Sequence, residues 1–401
     1  MLTEKTINIV KTTAPVLENY SQEIGERFYS LLFLKVPSLG NIFNQSNQKR
    51  GIQQGALAKS VYVIGAHVDQ LESIRPMLKK IAQKHRALGV EADQYLIVGQ
   101  TLLEAVKDVL GDVATEEIIE AWGAAYNEIA HLFIEMEKEL YKGVEQQVGG
   151  WIDTRPFVVA KKVKESSVIT SFYLTPQDGQ PLPTFKPGQY ITIKAEIDGE
   201  IYTHMRHYSL SDAPDKDYYR ISVKREDAHD GNPNGVVSTY LHNKTSVGDT
   251  LLLTAPAGDF ILKEPSRPTV FISGGVGITP MISMVKSLLQ GSTNTEITFI
   301  HAAQNGDVHG MKEEIQSWAE LSSNIRSYVC YSNPTEQDRQ NNQYDKEGYI
   351  DLEWMQSLLA HYDHDFYICG PQPFMEAINE LLKKWGVPDE RRMNEWFTPN
   401  H

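Results

Sequence analysis

The sequence predicts a multidomain protein: an all-α domain over residues 1–139, a linker at 140–152, an antiparallel β-barrel over 153–263 and a parallel-sheet α/β domain over 264–401. Three observations carry this reading. Apolar residues keep helical spacing as far as Tyr141, short β-like runs follow from Phe157, and from about residue 265 strand-like and helix-like stretches alternate. A length of 401 residues suits two or three domains. The 41 % hydrophobic content lets each domain build a core and excludes a disordered or coiled-coil chain.

In the first part, Trp122, Tyr126, Ile129, Phe133, Met136 and Leu140 fall at alternating steps of four and three, one stripe of an amphipathic helix. Thr115 followed by Glu116 and Glu117 starts it, a capping side chain before acids favoured at the positive helix end. A second stripe runs through Tyr95, Val98, Gly99, Leu102, Val106 and Val109. Gly143, Gly149 and Gly150, with Gln146 and Gln147, read as a flexible joint ending near Trp151. The strands expected beyond it are Phe157–Lys162, Ile169–Thr175, Gln189–Ile197, His207–Leu210, Tyr219–Lys224 and Thr250–Thr254, separated by Pro, Gly and Asp turns that suit a small barrel. Thr269–Ser273, Glu296–His301 and Asp365–Cys369 each precede a helix, the order of a parallel sheet.

Composition narrows the function. A formal net charge of −14 disfavours nucleic acid and anionic membrane as partners. Two cysteines, Cys330 and Cys369, are too few for a disulfide framework and suit a reducing compartment. Glu4 and Lys5 interrupt the N-terminus, which reads as no export signal, and the apolar stretch from Phe271 to Leu289 is broken by glycines, Pro280 and Lys286. A cytoplasmic monomer with no membrane span is expected.

Two motif groups carry the chemistry of the second and third domains. Gly274, Gly275, Val276, Gly277, Ile278, Thr279 and Pro280 follow a buried strand and open a helix, an arrangement that lets backbone approach a pyrophosphate. About ninety residues on stand Cys369, Gly370 and Pro371, with Phe374 and Met375. Within the barrel are Pro187-Gly-Gln-Tyr190, Arg206-His207-Tyr208-Ser209 and Gly235-Val236-Val237-Ser238. Taken alone, Arg206 reads as a solvated charge and the glycine loop as an ordinary turn. Together and in this order they resemble the ferredoxin-reductase-like family. The resemblance implies an FAD-binding barrel and an NAD(P)-binding α/β domain. Tyr190, Tyr208 and Ser209 would contact the flavin, Arg206 and Gly235–Ser238 its pyrophosphate, and Cys369 would lie beside the nicotinamide. The terminal Glu395, Trp396 and Phe397 resemble the family's flavin-covering aromatic segment, with Thr398 where relatives carry glycine. After the second strand come Ala302, Ala303, Gln304 and Asn305, with no carboxylate for a ribose hydroxyl and no arginine for a 2′-phosphate, so the choice between NADH and NADPH leans to NADH.

In the helical domain, His85 follows Ile81 at helical spacing and precedes Tyr95 by ten residues, and a haem iron needs one such neutral imidazole. With Glu26-Arg-Phe-Tyr29, Pro37, Asn41-Ile-Phe43-Asn44, Gln53 and Lys84-His85, the domain resembles the globin of flavohaemoproteins, and with the reductase attached the likeness covers essentially the whole chain. That family resemblance implies haem b held by His85, distal hydrogen-bonding by Tyr29 and Gln53, Phe43 against the haem face, and Tyr95 with Glu135 bonded to the histidine. Lys84 matches a position that influences redox behaviour. By themselves Tyr29, Phe43 and Tyr95 read as core aromatics, and Glu135, beside the stripe rather than on it, as a solvated face. The implied activity is nitric oxide dioxygenase: NAD(P)H reduces FAD, FAD reduces the haem iron, and two NO and two O2 give two nitrates per NAD(P)H. The alternatives are a globin that binds or senses O2 or NO, or a flavin or hydroperoxide reductase with another acceptor.

Overall fold

The computed structural model describes residues 2–43, 52–228, 231–291 and 295–397. Asn44, Thr398 and Pro399 lie outside the described residues, as does the side chain of Gln53.

The first part is helical: α1 (Glu4–Asn19), α2 (Ser21–Lys35), α3 (Ile52–Ala66), α4 (Arg75–Leu88), α5 (Gln94–Leu110) and α6 (Glu116–Glu145). Their ends obey local chemistry. The Thr3 and Thr115 hydroxyls accept from the Thr6 and Ile118 amides, satisfying donors that have no partner within the helix. Pro76 sits in the first turn of α4, and Gly89 ends it in the left-handed region at φ 73°. Both predicted stripes face inward. Gly99 interrupts the α5 stripe because a Cβ there would come within 2.2 Å of the Tyr126 ring on α6, so glycine lets the two helices approach.

Helix α6 runs six residues beyond the boundary expected at residue 139, and the glycine-rich segment after it does not hang free. Instead Arg155 clamps the crossing: its guanidinium donates to the Gly149, Gln180 and Pro181 carbonyls and pairs with Asp178. Trp151 lies under the same guanidinium and donates Nε1–H to the Leu253 carbonyl at 3.0 Å. Charge-assisted bonds to the turn at residues 178–181 hold the glycine-rich segment in place.

The second part contains β1 (Arg155–Lys164), β2 (Ile169–Pro176), β3 (Tyr190–Ala195), β4 (His204–Ser209), β5 (Tyr219–Lys224), the helix α7 (Val236–Asn243) and β6 (Thr250–Leu253). The strands pair antiparallel in the order β4-β3-β6-β1-β2-β5, and a bridge between Leu210 and Ile221 brings the sheet's two ends together. Phe157, Phe172, Ile193, Ile221 and Leu253 fill the interior. The third part is β7 (Thr269–Gly274), α8 (Ile278–Gln290), β8 (Ile297–Ala303), α9 (Lys312–Leu321), β9 (Ile325–Tyr331), α10 (Glu336–Gln340), β10 (Lys346–Glu347), α11 (Leu352–Leu358), β11 (Asp365–Gly370), α12 (Gln372–Trp385) and β12 (Arg392–Trp396). Its sheet is parallel, ordered β10-β9-β8-β7-β11-β12, and β7 is buried along its whole length, as a central strand covered on both faces must be. Strands β9, β10 and β12 were not among those expected; β10 is only two residues long, and β12 is half-buried without clean alternation.

A ring of four alternating charges joins the second and third parts. Arg220 on β5 meets Glu314 on α9 at 3.0 Å, Glu314 meets Lys286 on α8 at 2.7 Å, and Lys286 meets Asp212 at 2.5 Å, with Asp212 3.8 Å from Arg220. Burial pushes the Asp212 carboxyl up, but Arg220 and Lys286 more than offset this and hold it below the usual carboxylate range. Removing one member strands the others. Lys286→Met is expected to lower stability by about 2 kcal/mol, less than the ~3–5 kcal/mol for a fully buried pair because the lysine is partly exposed. Asp212→Asn with Lys286→Met should cost less than the sum of the two single changes, and denaturant titrations of all three variants check this coupling.

Candidate functional site

His85 lies in the last turn of α4, facing α5 and α6. Its Nδ1 is 2.8 Å from Glu137 Oε1 and 2.9 Å from the Tyr95 hydroxyl, and Tyr95 donates to the same carboxylate oxygen at 2.5 Å. A carboxylate only accepts, so Nδ1 carries the proton and Nε2 presents its lone pair, the tautomer a metal requires. Glu137 is 3 % exposed and Tyr95 9 %; burial, then the neighbouring carboxylate, holds the Tyr95 phenol well above its ordinary range, so it stays a donor.

This corrects Glu135. Glu135 points to solvent, with 63 % of its side chain exposed, and meets only His131 one turn earlier. Residues two apart on a helix are separated by about 200° around its axis, so Glu135 and Glu137 occupy opposite faces. The signal was available: Glu137 lies four residues after Phe133 and three before Leu140, on the stripe itself, and Phe133 packs against both His85 and Tyr95.

Across the pocket, Tyr29 is 5 % exposed and packs edge-on against Phe43, with ring centroids 5.3 Å apart. The Gln53 position lies on α3, whose Leu57, Val61 and Ile64 line the same cavity; the neighbouring Gln54 is buried against α2, where the backbone of Gly25 comes close. Among the described residues no cluster of three or more His, Cys, Asp or Glu side chains is placed to hold a metal. One imidazole facing an apolar slot fits an iron whose other equatorial ligands come from a porphyrin, and does not fit a bare ion.

The cavity, about 950 Å³, does not end in the helical domain. It continues past Lys84, one turn from Lys80, to Tyr190 and the Arg206–Ser209 strand, then to Gly235–Ser238, Val276, Thr279, Glu395, Trp396 and Phe397. The α7 N-terminus has no side-chain cap, leaving its amides beside Arg206 to meet an anion. The Tyr190 hydroxyl is buried with no partner among the described residues, as expected of a group whose partner is a ligand. His207 accepts from or donates to Thr192 at 2.7 Å through Nδ1, and burial, with Lys84 and Arg206 near, pushes its imidazole down to about 3. The wall there fits a flavin.

Gly274, Gly275, Gly277, Ile278, Pro280, Cys369, Gly370 and Pro371 do not line this cavity. On the third domain Gly275–Gly277 make one 3-10 turn before α8, and a Cβ at Gly277 would strike the Cys369 carbonyl at 2.2 Å, so the two motifs, far apart in sequence, close on each other. Cys369 pairs in register with Glu395 of β12. Burial and that carboxyl push the Cys369 thiol well up, leaving it a thiol, while burial pushes Glu395 to about 7 against the pull of Lys80 and Lys84.

The comparisons follow this geometry. Family models match residues 26–133 as globin, 156–261 as an oxidoreductase FAD-binding domain and 271–380 as an oxidoreductase NAD-binding domain. A flavohaemoprotein of Bacillus thuringiensis subsp. konkukian is 50 % identical over 400 residues, covering 100 % of this chain and 99 % of its own. The chain belongs to the flavohaemoprotein family. A flavohaemoglobin from Malassezia yamatoensis, solved with bound FAD and haem, aligns over 99 % of both chains with a TM-score of 0.85 at 25 % identity. The FAD/NAD-binding domain of a nitric oxide dioxygenase from Vibrio cholerae is 38 % identical, covering 61 % of this flavohaemoprotein and 98 % of its own chain, with a TM-score of 0.55. Among the described residues of this flavohaemoprotein, no helix is long and apolar enough to cross a membrane.

Proposed function

We propose that this chain is a nitric oxide dioxygenase that holds haem b and FAD, takes electrons from NADH, and converts NO and O2 to nitrate. One observation supports this best: a single cavity joins His85, the Arg206–Ser209 wall and Glu395, so electrons entering at the glycine loop have a continuous route to the imidazole. When bound, the flavin converts two-electron hydride chemistry into single electrons and the haem supplies a reducible iron. The chain does the rest. Tyr95 and Glu137 hold the His85 proton on Nδ1 and raise the basicity of Nε2; Arg206 and the α7 amides would neutralise the flavin pyrophosphate; Tyr29 would offer a hydroxyl to the diatomic substrate. The relationship to the Vibrio cholerae dioxygenase domain points the same way.

NADH is favoured because Ala302, Ala303, Gln304 and Asn305, which end β8 and follow it, offer no cation for a 2′-phosphate. We infer a cytoplasmic monomer, consistent with two buried free cysteines.

NO decay at an electrode, with haem- and FAD-loaded protein in aerated buffer, tests the reading. Sustained decay that stops when NADH or O2 is exhausted, and runs slower with NADPH, is the expected result; one stoichiometric burst without turnover overturns it. Tyr29→Phe removes one donor at the site of charge development and is expected to lower NO turnover by about 10²-fold and to hasten O2 release, which flash photolysis measures.

A further inference from the structure

We infer that Arg86 is a positioning residue that locks the His85 helix onto the flavin-binding domain and thereby sets the rate of electron transfer between them. The inference rests on the electron route proposed above.

Arg86 directly follows His85 on α4, and it is 5 % exposed. Its guanidinium leaves the helical domain altogether: Nη2 donates to the Pro256 carbonyl at 2.6 Å and Nη1 reaches the Ala255 carbonyl at 3.5 Å, some 170 residues along the chain. Among the described residues no carboxylate lies within ion-pair distance of it. A buried cation answered only by neutral carbonyls is an expensive way to fill space, and an apolar side chain would fill it more cheaply. What the guanidinium adds is direction, since its planar fork fits the consecutive carbonyls of one segment.

That segment is the back of the flavin wall. Ala257 and Tyr190 exchange two backbone hydrogen bonds, at 2.9 and 2.8 Å, and Ala87, fully buried beside Arg86, packs against both. His85, Arg86, the 255–257 segment and Tyr190 therefore form one short mechanical chain from imidazole to flavin wall. A separate tether joins the domains elsewhere, where the Thr203 amide donates to Asn41 Oδ1 at 2.9 Å. The Arg86 clamp adds a fixed point on the side where the electrons cross.

The test uses holoprotein, with stopped-flow reduction by NADH under carbon monoxide, following flavin and haem separately. Arg86→Ala and Arg86→Gln are both made, the second as insurance against a variant that does not fold. Flavin reduction should stay within about twofold, while flavin-to-haem transfer should fall by ~10-fold or more, because the step depends steeply on how the two partners are placed. Arg86→Lys, which keeps the charge and one donor, should recover part of the rate. Haem reduction by dithionite should be unchanged in every variant, and small-angle scattering should show a larger radius for the alanine variant, a readout independent of activity. The inference is overturned if flavin-to-haem transfer is unaltered in both variants, or if dithionite reduction slows in parallel, which would place the defect in the haem pocket. Wild-type protein that reduces its flavin but never its haem would instead sink the electron route itself.

Discussion

Replacing His85 with alanine is expected to abolish NO removal, a loss of ~10³-fold or more, while flavin reduction by NADH proceeds at its normal rate. The reason lies in the donor set. Among the described residues His85 is the one imidazole facing the apolar slot on the α4 side, and with its Nδ1 committed to Glu137 and Tyr95 its Nε2 is the nitrogen left to hold iron. The second and third domains have their own cores and contribute nothing to that ligation. Haem content by absorbance, flavin reduction by stopped flow and NO decay at an electrode measure the three consequences separately. Imidazole added in solution should occupy the vacated volume and restore part of the haem binding. If the alanine variant kept both haem and turnover, the assignment of the ligand would be wrong.

Glu137→Gln is expected to lower NO turnover by about 10–100-fold, whereas Glu135→Gln should leave it unchanged. The amide preserves shape and still accepts from Tyr95, but it exchanges a charge-assisted bond to His85 Nδ1–H for a neutral one of roughly half the strength. A less basic imidazole stabilises the oxidised iron less, so the haem midpoint potential should rise and the iron–histidine stretching frequency should fall. Glu137→Ala leaves the histidine proton without its carboxylate in a buried site and should be worse still. Equal effects of Glu135→Gln and Glu137→Gln would contradict the geometry, because only one of these carboxylates reaches the histidine.

The contrast between these two glutamates shows where sequence reading succeeds. Helix α6, its Thr115 cap and its apolar stripe were all legible, because each depends on spacing and on side chains within a turn or two. The glycine turn before α8 was legible for the same reason, whereas the Arg206–Ser209 motif stood out through its family resemblance, and its strand, expected from His207, begins at His204. Choosing between carboxylates two residues apart was harder: it needs the rotational phase of α6 against α4 and α5, which Phe133 reported but which a motif match did not weigh. The contacts of the glycine-rich segment were not legible, because Arg155, six residues on from Gly149, joins it to a turn near residue 180.

Local order thus follows from short-range rules, helix capping, alternation in strands and glycine where backbones must approach, whereas the reactive side chains were named through the resemblance of their motifs to a known family. The continuous cavity, the four-charge ring between β5, α8 and α9, and the grip of Arg86 on residues 255 and 256 were decided by the tertiary fold alone. The ring's cross-domain pairs, Arg220–Glu314 and Lys286–Asp212, lie 94 and 74 positions apart, the Arg86 contacts 169 and 170, and His85 and Glu395 on the cavity wall 310. Their contacts exist only after three separately built cores have docked, so no window of the chain contains both halves of the interaction.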